Sequence, residues 1–255
     1  IIKTKQIKDM ISKSLFSSFI EKYYLTGRTE TAKISIKDNV MKCNFQGGDA
    51  SLNVLGTIIL NDIDLPDGEL NLFESTSKIL KLFTALDDQI EIKYIKGQTV
   101  VGDEIKNIEL IDSTKTINFT LADSTLLDDP KKMTKKLIYD IEFDLTDSFI
   151  NEYLRSKAAL SEAIEFGLRP DKKGAGIEIV INYSSNNVNN IVIPVAVTKM
   201  GTIDTLIFDA NILRDILTAN KNIPGKIEVL AQGMLKISFE SAVFKNEYYL
   251  LGKKA

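Results

Sequence analysis

The chain has 255 residues, a formal net charge of −3, 44% hydrophobic and 26% charged residues, no histidine and one cysteine, Cys43. Without imidazole there is no Ser-His-Asp triad, no Cys-His pair, no histidine metal ligand and no histidine general base. A lone cysteine excludes an intrachain disulfide and a cysteine-based zinc site, and it predicts a reducing, cytoplasmic compartment. The length suits two domains of roughly 100 to 150 residues, each able to bury its own core. No apolar run approaches the roughly 20 residues of a membrane span, and no signal peptide is recognised.

In chain order, a short strand near residues 1–4 and a helix over roughly 6–20 are expected first. Alternating apolar residues then predict antiparallel strands at "AKISIKD", "VMKCNF", "SLNVLGTIIL" and "GELNLF", with "QGGD" at Gln46 to Asp49 as a turn. An amphipathic helix follows Ser75, and strands follow at "QIEIKYI", "NIELID" and "TINFTLA". The stretch from Ala122 to Lys136 holds Pro130, few strand formers and a charge run, and reads as an extended linker. Its Leu126 and Leu127 either pin it to the body or form one lip of a partner groove. After it come the strand "YDIEFDL", a helix from about Asp147 to Ala159, and the strands "AIEFGL", "GIEIVINY", "NIVIPVAV" and "DTLIF". A helix from about Ala210 to Asn220 and the strands "KIEVLAQ", "LKISFESA" and "EYYLL" close the chain.

That order repeats. "LNLFESTSKILKLFTALDDQIEIKYIKG" in the first half and "DTLIFDANILRDILTANKNIPGKIEVLAQG" in the second share an aromatic residue (Phe73, Phe208), an acid, an amphipathic helix and an alternating strand. A repeat this long implies a tandem duplication of whole domains: residues 1–121 and 137–255, with 122–136 between them.

Placing the helical residues at about 100° per position separates their faces. Ile79, Leu82, Phe83 and Leu86 form one stripe, with Ser77, Lys78, Lys81 and Thr84 opposite. Ile212, Leu213, Ile216 and Leu217 form another, leaving Asn211, Arg214, Thr218 and Lys221 outside. Phe149, Ile150, Tyr153 and Leu154 are set to be buried, with Ser148, Asn151 and Arg155 exposed, and Lys5, Lys8 and Ser12 share a polar side of the first helix. Glu152 and Asp215 are acidic exceptions. Such faces are ordinarily just solvated. Set against a net negative chain, however, they fit a protein that presents one basic surface to DNA phosphates without reading sequence. No phosphate-binding glycine loop, recognition helix or zinc finger is present.

This α+β organisation, the segment from Leu70 to Ile95 and the tail "FESAVFKNEYYLLGKK" resemble the DNA sliding clamps of the proliferating cell nuclear antigen and tailed-phage branch. The resemblance implies two tandem clamp-type domains, each an antiparallel sheet packed on two helices, in a homotrimer closed head-to-tail into a ring around double-stranded DNA. It further implies a non-enzymatic processivity factor without cofactor or metal, opened by an ATP-dependent clamp loader and tethering a DNA polymerase. On that reading Lys5, Lys8, Lys78, Lys81, Arg155, Arg214 and Lys221 line the hole, and Leu126, Leu127, Tyr249, Leu250 and Leu251 match the partner-peptide groove. The linker lacks a long acidic stretch and the tail lacks an "LAPK"-like ending, which leans toward a viral member. Two other classes remain open: a virion structural protein built of duplicated β domains, and a carboxylate metalloenzyme using Asp62, Asp64 and Asp67, although "DLPDG" is also good turn chemistry.

Overall fold

The computed structural model describes residues 10–47, 54–99, 102–130, 133, 137–172, 174, 176–184 and 189–254. The chain divides into two compact units, Ile1–Phe45 with Ile58–Pro130, and Gln46–Thr57 with Lys131–Ala255.

The first half of the chain runs β1 (Met10–Ser12), α1 (Lys13–Tyr24), β2 (Ala32–Lys37), β3 (Val40–Gly47), β4 (Val54–Leu60), β5 (Gly68–Leu72), α2 (Thr76–Phe83), β6 (Gln89–Thr99), β7 (Gly102–Ile111) and β8 (Thr116–Thr120). The second runs β9 (Ile141–Leu145), α3 (Asp147–Ala159), β10 (Glu165–Pro170), β11 (Ile177–Ile181), β12 (Ile191–Val195), β13 (Leu206–Asp209), α4 (Ala210–Ala219), β14 (Gly225–Leu230), β15 (Met234–Glu240) and β16 (Phe244–Leu251). The two lists are the same sequence of elements. Strand order repeats as well: β1-β6-β7-β8 answers β9-β14-β15-β16, and β5-β2-β3-β4 answers β13-β10-β11-β12. In the second unit a short strand β17 (Lys253–Lys254) adds to β13. It passes close because Gly252 has no Cβ, which would fall 2.5 Å from the Ile207 carbonyl.

Alternation explains the strands. In β2, Ala32, Ile34 and Ile36 are buried while Lys33, Ser35 and Lys37 point outward, the period-two signature of a sheet with one covered face. Helices begin where side chains satisfy their first free N–H groups. Ser12 accepts from the Leu15 N–H at 3.4 Å, Thr146 from Phe149 at 3.2 Å, and Asp209 from Asn211 and Ile212 at 2.7 and 2.9 Å. Ser75 makes no such bond. Its place is taken by Glu30, whose carboxylate accepts from Ser77 N–H at 2.9 Å and whose carbonyl accepts from Ser75 and Thr76 at 3.1 Å.

The core of the first unit holds Phe16, Phe19, Ile20 and Tyr23 of α1, with Phe16 tilted on Phe83 of α2 at 5.2 Å. In the second unit ring contacts run without a break through Phe143, Phe149, Tyr153, Phe166 and Phe208.

Several expectations change. The first helix starts at Lys13 instead of near residue 6, because Met10–Ser12 pairs with β6 and Ser12 is the helix cap; the strand expected over 1–4 lies outside the described residues. Phe73 is 43% exposed whereas Phe208 is 2% exposed, so the repeat slips here. Leu72, the last inward residue of β5, matches Phe208 in role, and the chain needs extra residues, including Glu74 at φ +48, to reach α2. In α3, Ser156 and Lys157 are buried, and Lys157 donates to the Ser161 carbonyl at 2.8 Å beyond the helix end. Within the expected linker, residues Ser124–Leu126 form a 3-10 turn. Ser124 and Asp123 there tie to Glu104 and Lys106 of β7.

Candidate nucleic-acid interface

The outward face of α2 carries exposed positive charge. Lys78 and Lys81 are exposed, opposite the buried Ile79 and Phe83, and among the described residues neither ammonium has an ion-pair or hydrogen-bond partner. On α1, Lys13 donates to the Leu86 carbonyl past the end of α2, and Glu21 is the exposed acid. A shallow depression of about 500 Å³, lined by Lys13, Ser17, Glu21, Leu80, Lys81 and Thr84, separates the two helices. Lys22 is buried, bonded to Ser18 Oγ at 3.0 Å, and burial lowers its pKa to about 8. Lys5 and Lys8 lie outside the described residues.

The corresponding face of the second unit is balanced. Arg155, exposed on α3, pairs with Glu152 at 3.0 Å, and Asp147 and Glu162 are exposed nearby in sequence. Arg214 on α4 donates through Nε and Nη2 to the buried Asp215 at 2.9 and 2.7 Å, and through Nη1 to Asn211 at 3.3 Å. Lys221, just beyond α4, is exposed. The sequence pattern places Asp215 among the outward acids. It is buried because the stripe of α4 is wider than its four aliphatic positions.

The five apolar residues expected in a groove divide by burial. Leu126 and Leu251 are 58% and 45% exposed. Leu127 and Leu250 are 9% and 1% exposed and belong to the cores of their units, so neither presents an anchor to a peptide. Tyr249 is half-buried and donates to Glu247 at 3.2 Å; burial and the Glu247 charge push its phenol pKa up. Ile138, 85% exposed, is a further apolar side chain that the sequence does not single out, standing between Leu137 and Tyr139 after the lysines of the linker.

A second hollow, about 490 Å³, lies in the second unit between the start of α3 and β12, walled by Thr146, Phe149, Val192, Ile193, Pro194 and Val197. β12 is the outer strand of its sheet and β8 of its own. Pro194 cannot donate to the ladder, so its position on an outer strand is the one a sheet tolerates.

Chemistry of other kinds finds no assembled site among the described residues. No group of three or more Cys, Asp or Glu residues is placed to hold a metal ion. Asp67 accepts from the Asp38 N–H at 3.1 Å, and Asp62 sits at φ +58, so "NDIDLPDG" is spent on turns. Cys43 is fully buried and burial raises its thiol pKa. No described helix is long and apolar enough to cross a membrane.

No protein-family model matches the sequence, and no curated protein matches it. Solved structures match over nearly the full chain. A structure of the C-terminal region of FEN-1 bound to A. fulgidus PCNA gives a TM-score of 0.73 at 12% identity, covering 97% of this chain and 98% of that one. Proliferating Cellular Nuclear Antigen from Entamoeba histolytica gives 0.69 at 14% identity, covering 97% and 100%. The PCNA2-PCNA3 complex from Sulfolobus tokodaii gives 0.71 at 9% identity, covering 97% and 99%. The chain therefore has the two-domain fold of proliferating cell nuclear antigen. Identities this low carry the fold and assign no role to any residue.

Proposed function

We propose that this chain is a sliding clamp: a homotrimeric ring that encircles duplex DNA and tethers a DNA polymerase in phage-type replication, placed on DNA by an ATP-dependent loader. The observation that carries the reading is the duplicated clamp fold, matched end to end by PCNA structures at TM-scores of 0.69 to 0.73. A ring holds DNA by topology, so its phosphate contacts need only be weak and independent of sequence. The exposed lysines Lys78 and Lys81 suit that task. Outer strands β8 and β12 suit pairing between copies, and exposed Leu126 and Leu251 suit apolar contacts with partner peptides.

The test is topological. The protein should have a solution mass of three times 28.5 kDa. Once loaded, it should stay on nicked circular DNA and leave when the circle is linearised. Equal retention on both forms would reject encirclement. Self-assembly into tubes or shells without DNA would favour the virion structural reading.

A further inference from the structure

We infer that the grip on DNA is lopsided: the first unit of each subunit, through Lys78 and Lys81 on α2, carries the phosphate contact, while the α3–α4 face of the second unit is held electrically neutral. The inference rests on the clamp reading and goes beyond it, because a duplicated fold alone predicts equal use of both halves.

The charges differ from helix to helix. On α2 the two ammonium groups are exposed and unpaired among the described residues, so phosphate binding releases counterions without breaking any protein contact. On α4 the guanidinium of Arg214 is held by two hydrogen bonds to one oxygen of Asp215, whose side chain is 5% exposed. Turning Arg214 toward a phosphate gives up both of these hydrogen bonds to a buried carboxylate, a cost that the lysines of α2 do not meet. On α3 the constraint is different. Arg155 and Glu152 are both well exposed, so their pair is weak and Arg155 is free to turn. Glu152, Asp147 and Glu162 remain exposed on or beside that helix, however, and repel the phosphate that Arg155 attracts. Glu152 is thus a positioning residue that keeps α3 off the duplex. A ring held through one helix in four of each subunit slides with fewer contacts to break at each step.

Anisotropy of a fluorescein-labelled DNA duplex, titrated with the intact protein across a series of NaCl concentrations, tests the division. Lys78→Ala with Lys81→Ala should weaken binding about tenfold at low salt and flatten the plot of log K against log[salt] by up to about 1.8, at roughly 0.9 per lost phosphate contact. Arg155→Ala with Arg214→Ala should leave the slope unchanged even where Arg214→Ala lowers thermal stability. Glu152→Gln should tighten binding two- to threefold, a gain that a merely structural role would not produce. Equal losses from the lysine and arginine pairs, or no gain from Glu152→Gln, overturn the lopsided grip and leave the clamp reading standing. A wild-type protein that neither binds the duplex nor is retained on circular DNA overturns both.

Discussion

Glu30 stabilises a helix to which it does not belong. Its carboxylate and carbonyl take the first N–H groups of α2, the service that Ser12, Thr146 and Asp209 perform for their own helices. Glu30→Ala should cost about 1 kcal/mol, in the range of a lost N-cap, with the loss visible as a lower urea midpoint at unchanged slope. Lys22 acts in the opposite sense. Burial lowers its pKa from 10.5 to about 8, so between those values the unfolded chain binds a proton that the native chain lacks. Stability therefore rises with pH across that window, and the full penalty is present below it. Lys22→Met should stabilise the fold by about 1 to 2 kcal/mol at pH 7. The gap between wild type and variant should narrow as pH is raised from 7 to 9.5; a constant gap would mean that Lys22 keeps its proton in the fold, with its pKa unshifted by burial. Neither residue was legible in the sequence, because a cap supplied from outside the helix and a lysine drawn into a helix flank follow no local pattern.

The elements themselves were legible. Every strand expected by alternation within the described residues is present, since period two is imposed by a single buried face and needs no knowledge of neighbours. Boundaries failed where pairing decides them: Met10–Ser12 looks helical in isolation and becomes a strand only because β6 lies beside it. Distant pairing also hides the charge pattern of the second unit. Across β9, β14, β15 and β16, Glu142, Lys226, Glu228, Lys236 and Glu247 alternate in sign at separations of 3.2 to 3.5 Å. A lone surface pair contributes little, but Glu228 is only 14% exposed and contacts two lysines. Glu228→Gln should cost about 0.5 to 1 kcal/mol at low salt, with the cost fading towards 1 M NaCl as charges are screened. At the end of this ladder the hydrogen bond from Lys226 holds the Glu142 carboxyl below its usual range. Its contribution is therefore present at neutral pH and lost as acid protonates it, and thermal melts from pH 7 down to 3 should show the second unit weakening along that course.

At the scale of the whole molecule, the groove expectation and the ring expectation part company. Leu127 belongs to the apolar pair of the linker and Leu250 to the alternating tail strand, and in each the buried member is core. Leu126→Ala with Leu251→Ala should therefore weaken partner-peptide binding at unchanged stability, whereas Leu250→Ala should cost about 2 to 5 kcal/mol by leaving a cavity. In the proposed ring, closure is assigned to strands instead of pockets. β8 and β12 end their sheets, and an outer strand with unpaired backbone groups is stable in isolation only if it is guarded or paired by another chain. β12 is guarded by Pro194 but is apolar along the rest of its length: Val192 is 41% exposed, Ile191 and Ile193 flank it, and a hollow lined by both apolar and acidic residues opens beside it toward Phe149. A head-to-tail contact through such an edge generates a closed ring when the rotation fits. Val192→Glu places a charge on that edge without touching the core, so it should leave the far-ultraviolet circular dichroism intact and lower the solution mass from three times 28.5 kDa to one. Light scattering at micromolar and tenfold higher concentrations checks this, because a weakened ring reassembles by mass action. A variant that stays trimeric at both concentrations would move the subunit contact away from β12.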